Sequence, residues 1–175
     1  MAIAIDHAFI ACQPGGPEAN SLLQRGFVEG SSNTHAGQGT ANRRFFFDNF
    51  MLELLWVVDH AEATSERTRR TRLWERCSNP ETAELIYMPF LRTPNAASAE
   101  PTQHRLPFHR LRSVAIGVRT LAALSAAALA TQRLGQLRYF ASDRPVIELH
   151  FEGATEAHVD LRPTLPLVLS ASASI

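Results

Sequence analysis

The sequence predicts an α+β fold made of two βαβββ modules. Three observations carry that expectation. Two segments, Ile3 to Ala11 and Leu111 to Val118, alternate at the period of a strand. Each is followed by a short helical stretch with a glycine stop, Glu18 to Arg25 before Gly26 and the Ala-rich stretch after Thr120 before Gly135. Each helix is then followed by β-prone runs. The halves share little sequence, so the order of elements carries the duplication.

In the first strand, Ile3, Ile5, His7, Phe9 and Ala11 share one face, and Ala2, Ala4, Asp6, Ala8 and Ile10 share the other. Pro14-Gly15-Gly16-Pro17 ends it. The helix turns Leu22 and Leu23 inward, and Phe27-Val28 starts a second strand. Ser31 to Gly39 is rich in Ser, Asn, Gly and Thr and reads as a loop. Arg43 to Asp48 and Phe50 to Val58 form a hairpin joined at Asp48-Asn49.

The middle of the chain, Glu66 to Arg76, reads as a helix that packs Leu73 and Trp74 and solvates its arginines. Ala83 to Leu91 reads as a strand and Asn95 to Pro107 as a linker. In the second half, Leu111 to Val118 is a strand, and Leu121 and Leu124 begin the inward stripe of the helix. Three β-prone runs follow: Leu137 to Ala141, Val146 to Phe151, and His158 to Leu161 continuing through Leu165 to Leu169. The last residues, Ser170 to Ile175, are expected to fray. The expected organisation is one domain over 1–175, with a first module over 1–60, a connecting segment over 61–107 and a second module over 108–170.

Composition removes several function classes. The 175 residues hold seventeen basic and seventeen acidic side chains, a formal net charge of zero. That argues against a general nucleic-acid footprint. Every basic residue is arginine, so a Schiff-base lysine and a P-loop lysine are excluded. Cys12 and Cys77 are too few for a disulfide scaffold and their spacing is no zinc motif, and Cys12 reads as an ordinary thiol. The early Asp6 and the lack of a basic leader argue against a signal peptide. The longest apolar run, Leu121 to Ala130, is about half a membrane span. The expectation is a cytoplasmic protein with no membrane and no nucleic-acid partner. There is no Gly-x-Ser-x-Gly elbow and no His-Glu-x-x-His helix.

Several residues are candidates in their own right. Glu53 lies among Leu52, Leu54 and Leu55. Facing inward, it needs a partner, because an unpaired buried acid costs several kcal/mol; facing outward, it leaves Leu52 and Leu54 to the core. In the loop, Gly37 and Gly39 allow positive φ, and their N–H groups are suited to cradling a carboxylate or phosphate. Thr40 and Asn42 then bind either a ligand or the loop itself. One of Arg43 and Arg44 faces the candidate cleft, where it pairs with an anionic substrate, or both are solvated edge residues.

Four stretches together resemble a known family: Ile5-Asp6-His7, His35-Ala36-Gly37-Gln38-Gly39-Thr40-Ala41-Asn42, Leu52-Glu53-Leu54, and Asp160-Leu161-Arg162-Pro163-Thr164-Leu165-Pro166-Leu167. They resemble the glyoxalase-like domains of the vicinal oxygen chelate superfamily, over roughly 3–169. The segment from Cys77 to Pro80 is shorter than in such relatives. The resemblance implies curved mixed sheets around a cleft and assembly as a homodimer. It also implies a small-molecule substrate. Many members are lyases, isomerases or dioxygenases that hold a divalent metal, while resistance-type members bind a ligand without one.

Carried onto this sequence, the resemblance implies His7 and Glu53 as ligands of Zn, Mn, Fe, Ni or Co, with Glu53 also moving a proton. Laying one module on the other puts Ser113 opposite His7 and Asp160 opposite Glu53. Asp160 is then the third metal ligand, with His35, His150 and His158 as alternatives. His35, Gly37, Gly39, Thr40, Asn42 and Arg43 are the expected ligand-binding set. The function this implies is a metal-assisted lyase, isomerase or dioxygenase acting on vicinal oxygens. The alternative is a metal-free protein that binds or sequesters a small ligand.

Overall fold

A computed structural model describes residues 4–78, 90–92, 107–118, 136–144 and 146–173. Its architecture is mixed α+β, with two five-stranded sheets. The chain divides into two compact units. One comprises Met1–Asp6, Phe47–Phe50 and Phe90–Ile175; the other comprises His7–Phe46 and Met51–Pro89.

The first half follows the expected order closely. Strand β1 spans Ala4–Ala11, helix α1 Ala19–Gln24, β2 Asn33–His35, β3 Thr40–Phe47 and β4 Phe50–Val57. Gly26, at φ 85°, lets the Phe27 N–H turn back onto the Leu22 carbonyl and stop α1. Helix α2 spans His60–Ala63 and α3 Leu73–Ser78, with β5 at Phe90–Arg92. The sheet order is β2-β3-β4-β1-β5. β1 runs parallel to β4, with Phe9 opposite Glu53 and Ile10 opposite Leu54.

Alternation gives β1 and β4 two distinct faces. Ala8, Ile10, Leu52 and Leu54 lie on one, each at most 3% exposed. His7, Phe9, Met51, Glu53 and Leu55 lie on the other. On that second face Phe9 and Leu55 close into a buried cluster with Leu73 of α3.

The expected helix over Glu66 to Arg76 is broken. Arg69–Thr71 forms a 3-10 turn, Arg72 adopts φ 54°, and α3 starts only at Leu73. The side chains of Thr68 and Thr71 bond to nearby carbonyls and close tight turns there. The loop expected over Ser31 to Gly39 contains β2, and no strand starts at Phe27-Val28.

The second half departs from the first. Strand β6 spans Arg110–Val118, β7 Leu137–Ala141, β8 Val146–Gly153, β9 Ala157–Asp160 and β10 Leu167–Ala173. Their order is β7-β6-β8-β10-β9. In the first sheet the opening strand β1 lies beside and parallel to the closing hairpin strand β4. Here β6 lies between β7, parallel, and β8, antiparallel. The duplication expected from element order is therefore not repeated in strand order. The run from His158 to Leu169 is two antiparallel strands, because 161–166 turns back and pairs Val168 with Asp160. Ser170 to Ala173, expected to fray, is paired along β8. The helix expected after Thr120, most of the Ala83 to Leu91 strand and all but the last residue of the Asn95 to Pro107 linker lie outside the described residues.

Within its own unit the second sheet is strongly two-sided. Ile147, Leu149 and Phe151 pair with Leu167, Leu169 and Ala171, and all six are at most 5% exposed. Phe47 and Phe50, from the tip of the β3–β4 hairpin, pack on Phe151 with centroids 4.6 and 6.4 Å away. Asn49 ties the same tip to both backbone groups of Leu111. No helix among the described residues is long and apolar enough to cross a membrane.

Candidate functional site

The polar residues of the first sheet converge on the face that carries Glu53. In the antiparallel pair β2–β3, Asn33 is opposite Asn42 and His35 opposite Thr40. Directly opposed residues share a face. Glu53 is the centre of the group and is 6% exposed. The Asn42 amide donates to Glu53 Oε1. The Asn42 carbonyl oxygen accepts from the Asn33 N–H at 2.8 Å, which fixes which end of the amide faces the acid. The His35 Nε2 lies 3.9 Å from the same Glu53 oxygen, beyond hydrogen-bond distance but close enough for ionic attraction.

Thr40 orients His35. Its hydroxyl lies 3.0 Å from His35 Nδ1 and also accepts from Gln38 Nε2 at 2.9 Å. A chain of polar contacts therefore runs from Gln38 through Thr40 and His35 to Glu53 and Asn42. Glu53 thus faces inward, and the alternative with an outward Glu53 does not hold. His7 is half-buried on the same face, two residues from Glu53 in the β1–β4 register.

The glycine loop has a different role from the one expected. Gly37 and Gly39 do take positive φ, 77° and 72°, and their N–H groups do cradle a carboxylate. The carboxylate is the chain's own: Glu62 Oε2 accepts from Gly37 N at 2.6 Å and Gly39 N at 3.0 Å. Glu62 is held in turn by Asp59, the N-cap of α2, whose side chain accepts from the Glu62 N–H at 3.0 Å. The sequence reading missed Glu62. Its signal was the spacing Asp59-x-x-Glu62, a capping pattern.

Arg43 also leaves the expected set. It is adjacent to Asn42 on β3 and so points to the opposite face. There it grips Glu29 with two bonds, at 2.8 and 2.5 Å, and donates to the Gly16 carbonyl at 3.0 Å. The Glu29 carboxylate raises the Arg43 pKa above its ordinary value.

Asp160 belongs to the other compact unit. Arg162 holds it through Nε at 2.9 Å and through Nη2, and holds its carboxyl well below the usual carboxylate range. Ser113 is opposite His150. His150 is occupied by Ser170 at 2.9 Å and Ser172 at 3.3 Å, and His158 is exposed opposite Ser170. Among the described residues no group of three or more His, Cys, Asp or Glu side chains is placed to hold a metal ion. Of the expected metal ligands, His7 and Glu53 share a face of the first sheet, and Asp160 is paired with Arg162.

Cys12 and Cys77 are both free thiols. Burial pushes Cys77 up to about 11, and raises Cys12 further with help from the Glu18 carboxylate. Both shifts disfavour the thiolate, the nucleophilic form, near neutral pH.

No protein-family model matches the sequence, and no curated protein matches it. In fold the chain is similar to a solved structure described as a hypothetical protein from Staphylococcus aureus. The TM-score is 0.52 at 8% identity, over 98% of this chain and 100% of that one. At that identity the likeness is one of fold alone.

Proposed function

We propose that the protein is a metal-free, glyoxalase-like binding protein for a small molecule, and that the ligand is recognised on the face of the first sheet that carries Glu53. One observation carries this reading. A carboxylate is buried on a sheet face beside Phe9 and Leu55, and the polar side chains of Asn42 and His35 are turned toward it. Asn42 donates to one oxygen, and the His35 ring lies 3.9 Å from that same oxygen. Solvent still reaches the group, since the Glu53 side chain is 8% exposed and the His35 side chain 28%. A nearly buried acid beside a partly exposed imidazole, on a face that also carries Phe9 and Leu55, is the kind of polar group that orients a small ligand.

The test is thermal shift of the wild-type protein and Glu53→Gln against a panel of small oxygen- and nitrogen-bearing molecules, with and without chelator. A shift that survives chelator and is lost in Glu53→Gln supports the reading. A shift of equal size in both proteins overturns it. A shift that requires added Zn or Mn instead supports the second reading, a metal-assisted lyase or isomerase, which the shared face of His7 and Glu53 favours.

A further inference from the structure

We infer that Cys12 and Cys77 form a redox pair, two thiols that a small peroxide joins in a disulfide, with Glu18 taking the proton that Cys12 gives up. The two lie sixty-five positions apart in sequence and belong to one compact unit. The fold brings both to a single carbonyl oxygen. The Cys12 N–H donates to the Leu55 carbonyl at 2.8 Å, and the Cys77 sulfur lies 4.0 Å from the same oxygen. Both are free thiols. Cys12 follows β1 and Cys77 lies on α3, and those elements already meet through the buried cluster of Phe9, Leu55 and Leu73.

A third side chain belongs to the group. Glu18 Oε1 accepts from the N–H of Gln13, the residue after Cys12, at 2.9 Å. Its other oxygen, Oε2, is buried and has no hydrogen-bond partner among the described residues. A buried acceptor in that state is unusual. Burial first, and then the charges of Glu18 and of Cys77, raise the Cys12 thiol above its ordinary value. The carboxylate and the second sulfur are thus both within electrostatic reach of Cys12, and the carboxylate is placed to receive its proton.

Cys77 is the more exposed of the two and the easier to ionise, at about 11. Its thiolate attacks one peroxide oxygen. The O–O bond breaks, hydroxide leaves, and Cys77 becomes a sulfenic acid. The Cys12 sulfur then attacks the Cys77 sulfur as its proton passes to Glu18. The S–S bond forms, the S–O bond breaks, and the leaving hydroxide takes up a proton as water. Overall the two thiols lose two electrons and two protons, and one peroxide becomes two waters. Burial makes the reaction slow near neutrality, since the thiolate is the attacking form. It also makes the product durable, because a sulfur with a raised thiol pKa is a poor leaving group in reduction.

The test treats reduced wild-type protein with hydrogen peroxide at about pH 9, with chelator and without denaturant, and maps it by mass spectrometry after non-reducing tryptic digestion. The expected product is a monomer short of two hydrogens, with peptide 1–25 joined to peptide 77–92. Cys12→Ser should stop at the Cys77 sulfenic acid, which dimedone traps. In Cys77→Ser, Cys12 should oxidise at least about tenfold more slowly than Cys77 does in wild type. Glu18→Gln should form the sulfenic acid at the wild-type rate and close the disulfide at least about tenfold more slowly. Separate oxidation of the two sulfurs without a cross-link overturns the inference. So do a disulfide between chains, a cross-link seen only in denaturant, and no oxidation at all. Equal closure in Glu18→Gln and wild type overturns the part given to Glu18. If a variant does not fold, the peptide map of the wild-type protein decides the pairing alone.

Discussion

Asn42 on β3 donates its side-chain amide to the carboxylate of Glu53 on β4, and both residues are buried. Each satisfies a group the other would otherwise strand. Asn42→Ala should destabilise the protein by about 1–3 kcal/mol, the cost of leaving a buried acceptor without its donor. Asn42→Asp should cost more at neutral pH and recover part of the loss in acid, because it sets two carboxylates against each other. Urea denaturation at two pH values checks both.

The Glu62 cradle gives a prediction about the glycine loop. Glu62→Ala should free the Gly37 and Gly39 amides, which now bond to its carboxylate at 2.6 and 3.0 Å. Hydrogen exchange at those amides should accelerate well beyond any global loss of stability. Gly39→Ala should be severe, at about 2–4 kcal/mol, because its new Cβ would lie 2.3 Å from the Asp59 carbonyl oxygen at φ 72°. Gly15→Ala, with positive φ but nothing within 4 Å, should cost only about 1–2 kcal/mol.

Arg43 should matter for stability and not for binding. Its contacts to Glu29 and Gly16 lie on the face away from Glu53. Arg43→Ala should cost about 1–3 kcal/mol in denaturant. It should leave the thermal shift given by any ligand at Glu53 unchanged.

Asp160 predicts a component of acid sensitivity. Hydrogen bonds from Arg162 lower its folded pKa below the unfolded value of about 3.9. The pair therefore adds stability above that value and loses it as pH falls through the folded pKa. Asp160→Asn should lose less stability than wild type on acidification from about pH 4 downward, as read from melting temperature against pH.

The thiols should be silent in the native state. Burial raises Cys77 to about 11 and Cys12 further. A disulfide reagent should react slowly near neutrality, faster as pH approaches the Cys77 value, and with both cysteines in denaturant.

The first half was legible because its signals are local. Alternation set the faces of β1, Asp48-Asn49 set the hairpin, and Gly26 stopped α1. Glu53 was suspect from its leucine neighbours alone. Its partner Asn42 was in the expected set, but the contact depends on how two strands are placed, which no spacing encodes. The glycine loop was legible as suited to cradling a carboxylate or phosphate. Which carboxylate fills it depends on a residue twenty-five positions away in sequence. In the second half the strands themselves were legible and their order was not. Period two gives a strand its faces, yet leaves open which neighbour it pairs with. The turn over 161–166 was missed because Leu161, Leu165 and Leu167 read as one apolar run.

The most direct measurement is backbone amide NMR of the labelled protein titrated with the panel member that raises its melting temperature most. Shifts are expected to concentrate at His35, Thr40, Asn42 and Glu53, with little change at His150 and Ser170. Shifts centred on His150 and Ser170, with the Glu53 face unmoved, would contradict recognition of the ligand on that face.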